Sequence, residues 1–376
     1  MQPAVDISKL PATAQRILDP KSPAPLRQMG ARGIAPGLKP HEAVSVIALL
    51  TESSDEAVAK SALATLDKLP LPLLASALVP DLPAGVVDLL APRYASDIAV
   101  MEKVLGLPQI TMATVVAIAQ RASEDVAEIV ATNEERVLKH PEIIEKLYMN
   151  KATRMSTADR LIELAVRNKL ELTGIPAFKE AASAIAEELV VEATKERNFD
   201  DEQFVKADEI ARKTDFDPKA EDTHIVDPET GEEIVVGKVK PLYAQLADMS
   251  ISKKIRRAQV GTSAERMILV RDNDRRVATA AIKNPSVQES EIARISASRS
   301  VSEDVLRIIA TDREWTRSHQ VKINLVSNPR CPFAFAAKLI PHLREHELKT
   351  LARSKSVAGA VVQAAKQQLQ RKGVKL

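Results

Sequence analysis

The stretch Ser302-Glu-Asp-Val-Leu-Arg-Ile-Ile-Ala-Thr311 has a near-copy earlier in the chain, Ser123-Glu-Asp-Val-Ala-Glu-Ile-Val-Ala-Thr132. Seven of the ten aligned positions are identical, and Val130 against Ile309 is conservative. Each copy follows a proline-started helical segment (Pro108, Pro285) and precedes another helix closed by an X-Pro pair, His140-Pro141 or Asn328-Pro329. The residue before a proline is pushed out of the helical region, so these pairs punctuate short helices. A recurring unit of short paired helices fixes the architecture, because each pair buries its apolar face only against the next. The expectation is an all-α fold: an α–α superhelix, a right-handed stack in two arrays.

Working outward, residues 1–38 form a Pro/Gly-rich N-terminal segment with at most one short helix. A first helical-repeat array is read over 39–170, opening with Pro40 and the spacing Val44, Ile47, Ala48. Ser54, Thr111, Ser123 and Ser156 are placed as helix caps or openers. Residues 171–240 hold two acidic helices divided at 198–201, followed by a β-hairpin or linker around Asp227-Pro-Glu-Thr-Gly-Glu-Glu233. The second array runs over 241–376, where Ser286 with Glu289 reads as a capping box, and Ser302 and Ser356 as helix starts.

Charge is divided unevenly. Residues 180–233 hold 6 basic and 18 acidic side chains, whereas residues 249–376 hold 25 basic and 11 acidic. The C-terminal excess recurs once or more per helix, at Lys253, Lys254, Arg256, Arg257 and Arg266. It continues through Arg271, Arg275, Arg276, Arg294, Arg299, Arg307, Arg313, Arg317 and Lys322. Stacked repeats line such positions into a stripe that attracts carboxylates or phosphates, and arginine favours planar bidentate partners. The competing reading is a solvated face with local pairs, such as Arg271 with Asp274 or Arg313 with Glu314. The acidic segment reads either as a solvated linker or as an intramolecular contact, 180–233 on 249–376, that competes with an outside anion through tethering.

Trp315 reads as packing between repeats or as an anchor for a partner peptide. Asn273, Asn284, Asn324 and Asn328 read as helix terminators, or as inward-facing groups holding the backbone of an extended peptide. His342 and His346 stand four apart, but no third ligand shares their face, so no metal is expected. There is no phosphate-cradling Gly-rich loop, no G-x-S-x-G and no H-E-x-x-H, and the aromatics are too few for a helical-repeat DNA glycosylase. No enzyme activity and no cofactor are therefore expected. Cys331 is the single cysteine, which excludes an intramolecular disulfide framework and fits a reducing compartment. The N-terminus shows no signal-peptide pattern, and the most apolar window, 69–79, is broken by prolines. The chain reads as soluble and cytoplasmic.

The short helices, cap serines and Asn-Pro breaks resemble the HEAT-like and leucine-rich-repeat-variant α-solenoids. Arg276-Val-Ala-Thr-Ala-Ala-Ile-Lys-Asn-Pro285 carries the likeness best. It covers about 100–168 and 250–369, and the chain is also similar to an uncharacterised bacterial helical-repeat family. The resemblance implies a binding surface and no catalytic residue. The reading is a non-enzymatic scaffold that grips an acidic protein segment through Arg271, Arg275, Arg276, Arg294, Arg299, Arg307, Arg313, Trp315, Arg317 and Lys322. Sequence-independent duplex nucleic-acid binding by the same face is the alternative.

Overall fold

A computed structural model describes residues 5–188, 196–228 and 230–374. Among them the fold is all-α, with twenty-four α-helices and one two-stranded hairpin. The helices run from six residues (Glu134–Lys139) to fifteen (Phe199–Lys213). Helices this short are marginal in water and persist because each packs on its neighbours. None is long and apolar enough to cross a membrane. The chain forms two compact units, Met1–Thr157 and Ala158–Leu376, and the acidic segment belongs to the second.

In the first unit, helices contact the next but one as well as the next: Pro40–Leu50 meets Leu71–Ala77, which meets Ile98–Leu105, which meets Glu124–Thr132. The second unit has the same rule. One row runs Ile251–Val260, Arg275–Ile282, Glu303–Thr311, Phe333–Leu339 and Gly359–Arg371, each touching the one before. Ser263–Leu269, Glu289–Ala297 and His319–Ser327 form a second row. The two near-copies both fold as nine-residue helices, Glu124–Thr132 and Glu303–Thr311, with Val126 and Val305 fully buried at the same register.

The helix ends differ in detail from the expected caps. Thr111 accepts from the Thr114 N–H, as its position predicts. Ser123 and Ser302 stand at N-cap positions but make no side-chain cap bond. Asp55 rather than Ser54 caps Glu56–Asp67, Gln288 rather than Ser286 precedes Glu289–Ala297, and the last helix starts at Gly359, beyond Ser356. Carboxylates outcompete hydroxyls as acceptors where both are in reach, which accounts for Asp55.

The asparagines do something local pattern does not reveal. Asn150, Asn284 and Asn328 each follow a helix and reach back to the open C-terminal end of an earlier one, where carbonyls lack intrahelical donors. Asn150 Nδ2 donates to the carbonyls of Ala119 and Ala122, at 3.1 and 2.8 Å. Asn284 donates to Ala258 and Gln259, at 2.8 and 2.7 Å. Asn328 donates to Ser296 and Ser298, at 2.9 and 2.8 Å. Asn324, expected as a helix terminator, lies within His319–Ser327 and donates to the Ala293 carbonyl at 2.6 Å. The main chain these side chains hold is the protein's own.

The second unit also buries ions. Arg257 and Glu265 are both fully buried and joined through Nε at 2.6 Å. Arg266 meets Glu291 with two nitrogens, at 3.2 and 2.8 Å. Gly261 is required beside the first pair, because a Cβ there would lie 2.3 Å from the Arg257 carbonyl oxygen.

Candidate partner-binding surface

The basic positions of residues 249–376 divide into two groups. Lys253, Arg256, Arg257 and Arg266 are buried and so do not extend a surface stripe. The cause lies in the acidic segment and neighbouring helices, which bring carboxylates and an aromatic ring onto them.

The helix Phe199–Lys213 starts at a capping box, Asn198 with Asp201, and lies on the basic helix Ile251–Val260. Positions four apart share one helix face. Here that face presents Asp200 to Lys253, Phe204 to both Arg256 and Arg257, and Asp208 to Arg257. Each guanidinium carbon is 4.7 Å from the Phe204 ring centre. The ring's negative face attracts both cations in a site with little water. Phe204, Ala207 and Ala211 are buried, so this helix is part of the core. Glu180 meets Lys283 at 2.8 Å, and Glu187 meets Arg276 at 2.9 Å. Burial pushes the Asp159 carboxyl up to about 8, with Arg256 and Lys253 opposing the rise and Glu188 and Asp200 adding to it.

The hairpin, His224–Val226 paired with Glu233–Val235, is held differently. Ile225, Val226 and Ile234 face solvent, and polar groups make its attachment. Arg271 Nη2 lies 3.1 Å from Asp222 and Arg271 Nε lies 3.4 Å from Glu233. The Glu233 carboxylate also accepts from the Ser298 and Ser300 hydroxyls, at 2.7 Å each, and from the Arg299 N–H at 2.5 Å. Burial alone would raise this carboxyl. The three donors together with Arg271 overcome that and hold it at about 2. Burial lowers His224 to about 4, with Arg271 adding to the effect, so its ring is neutral at pH 7. The ring stands edge-on to Tyr243, 6.4 Å between centres, over a cleft of about 590 Å³ floored by Leu246, Ile251 and Ile268.

The ten expected partner-binding residues fall in several places. Arg271 is sealed under the hairpin. Arg275, Arg276 and Arg307 line a cleft of about 470 Å³ with Lys179 and Lys283. Acids answer the cations there: Arg275 and Arg307 share Asp304, and Asp274 and Glu187 flank Arg276. Arg294 donates to the carbonyls of Pro218 and Lys219, which anchors the approach to the hairpin. Arg317 pairs with Glu314. Trp315 sits half-buried in the short turn Trp315–Arg317. The side chains of Arg299, Arg313 and Lys322 make no ion pair among the described residues. The local pairs expected for Arg271 and Arg313 are replaced, since Asp274 turns to Arg276 and Glu314 to Arg317.

Geometry adds a feature that charge counting missed. The connections that lead back into the first row occur at 270–274, 298–302, 328–332 and 354–358, one before each of its helices from Arg275–Ile282 onward. Glu233 bridges the first two of them. Arg330 ties the third to the second by donating to the carbonyls of Ser300 and Val301, at 3.4 Å each. The serines flanking Arg299 carry the hydroxyls that Glu233 uses, and sequence reading assigned them no role. No protein-family model matches the chain, and none of the curated proteins matches it significantly.

Proposed function

We propose that the chain is a non-enzymatic scaffold that binds an acidic protein segment along the loop edge of its C-terminal repeats. The observation that carries this is the coordination of Glu233. Two hydroxyls, one backbone N–H and an arginine converge on a single carboxylate, the donor set that selects that group. The hairpin is the resident occupant, and a partner's acidic chain takes its place. The helix Phe199–Lys213 stays, because its buried ring and alanines tie it to the core, whereas the hairpin is held mainly by polar contacts, with the edge of the His224 ring against Tyr243 beside them. Releasing the hairpin therefore costs little apolar burial.

Anisotropy of a labelled oligo-glutamate peptide tests this on the full chain and on Glu233→Ala. Removing the tethered competitor is expected to tighten binding severalfold, since tethering acts as a high local concentration. Absence of peptide binding by either protein, or equal affinity for both, would refute the reading. A labelled DNA duplex is titrated in parallel. Binding that exceeds the peptide's and falls log-linearly and steeply with salt would favour a phosphate-backbone ligand instead.

A further inference from the structure

We infer that Ser354-Lys355-Ser356 is a second carboxylate-binding loop, which takes a glutamate or aspartate side chain of the acidic partner. This rests in part on the proposed function, but its core is an internal comparison. Ser298-Arg-Ser-Val301 and Ser354-Lys-Ser-Val357 are the same tetrapeptide but for Arg and Lys. Each follows a nine-residue helix, Glu289–Ala297 or Glu345–Arg353, and leads into a helix of the first row, Glu303–Thr311 or Gly359–Arg371.

At the first serine the two backbones agree. Ser298 has φ −66° and ψ 136°, and Ser354 has φ −70° and ψ 134°. The hydroxyl pairs agree as well: Ser298 and Ser300 oxygens are 3.0 Å apart, and Ser354 and Ser356 oxygens 3.1 Å. One loop holds the Glu233 carboxylate through both hydroxyls and the intervening N–H. The other holds no carboxylate among the described residues, and the Ser356 N–H rests on Ser354 Oγ at 3.3 Å. The Lys355 ammonium makes no ion pair among the described residues and lies exposed. The donor pair is thus set by the repeat itself, before any acid arrives, and such preorganisation lowers the cost of binding.

The first-row helices that follow the two loops, Glu303–Thr311 and Gly359–Arg371, are separated by one helix, Phe333–Leu339. Packed helices lie about 8–10 Å apart, so the loops are roughly 18 Å apart. An extended chain covers that in about five or six residues. One acidic segment with carboxylates at that separation would engage Ser298–Ser300 and Ser354–Ser356 together, passing Arg330 between them.

The test uses the ¹⁵N-labelled full chain titrated with sodium glutamate against sodium chloride at matched ionic strength. The Lys355 amide, counterpart of the Arg299 N–H, is expected to shift saturably in the natural chain and not in Ser354→Ala/Ser356→Ala. No shift beyond the chloride control, or the same shift in the double variant, would overturn the site. The scaffold reading is judged separately, with a labelled peptide carrying glutamates six residues apart. Hydrogen bonds to a charged group of this kind predict roughly tenfold weaker binding by the double variant. Unchanged peptide affinity would remove this loop from the interface. A Lys355 response without any peptide binding would leave a carboxylate site and remove the protein partner.

Discussion

Replacing Asn284 with alanine removes a cap that belongs to an earlier helix, Ile251–Val260. The ladder of Ile251–Val260 ends with the Gly261 N–H on the Arg257 carbonyl at 2.7 Å, so the carbonyls of Ala258 and Gln259 rely on the Asn284 amide. Asn284 Oδ1 also accepts from the Ser286 N–H at 2.7 Å. A buried polar group left unpaired costs about 1–3 kcal/mol. With two carbonyls exposed to loss and partial relief from water, the expected destabilisation is about 3 kcal/mol. For a unit the size of Ala158–Leu376 that corresponds to roughly 6–12 °C in Tm. Asn284→Asp is expected to be worse at pH 7, because its carboxylate would face two carbonyl oxygens with no donor. Thermal unfolding followed by circular dichroism, with urea titration for the free energy, measures both. A shift under about 2 °C for Asn284→Ala, or Asn284→Asp more stable than Asn284→Ala, would refute the cross-repeat cap.

Phe204→Ala deletes a ring held between two buried guanidinium groups and is expected to cost about 3–5 kcal/mol. Limited proteolysis should then cut within 199–213 first, and an unchanged cleavage pattern would contradict the stacking. Gly261→Ala forces a Cβ against the Arg257 carbonyl and the Glu265 carboxylate, so a loss of about 1–3 kcal/mol is expected by urea titration. Acidification should release the hairpin in two stages. His224 is lowered by burial, so its contribution is whole above about pH 6.5 and is lost as the pH falls toward about 4. Glu233 is also held low, so its contribution is whole above about pH 4.5 and is lost toward about 2. Amide exchange of 224–235, corrected for the intrinsic pH dependence, follows both stages, and flat protection from pH 7 to 4 would exclude the first.

The helical class was legible because apolar spacing and Asn-Pro breaks are local signals, and both survive as helix boundaries. The hairpin was legible for the same reason, from two short apolar runs around Asp227–Glu233. Which basic residues face solvent was not. Arg256 and Arg257 sit in a helix whose composition reads as exposed, and they are buried only because Phe204, Asp208 and Glu265 arrive from elsewhere in the chain. Periodicity reports which residues share a face, not what another segment will lay on it. Asn284 and Asn328 were recognised as helix stops, but their amides act across about 25–32 residues. The serines of 298–300 carried the right atoms. Only the arrival of Glu233 identifies them as carboxylate ligands.

The asparagine caps also give the chain a direction. Three helix ends are closed by an asparagine made later, so each of these helices leaves the ribosome with bare carbonyls and is finished only when the later segment folds. Nearest-neighbour coupling of this kind propagates order from repeat to repeat. A chain cut before Asn328 would therefore leave the Glu289–Ala297 end open while the Asn284 cap stays intact. Damage from a C-terminal truncation would spread back by one repeat, whereas loss of an N-terminal repeat would strand an asparagine without uncapping any helix that follows.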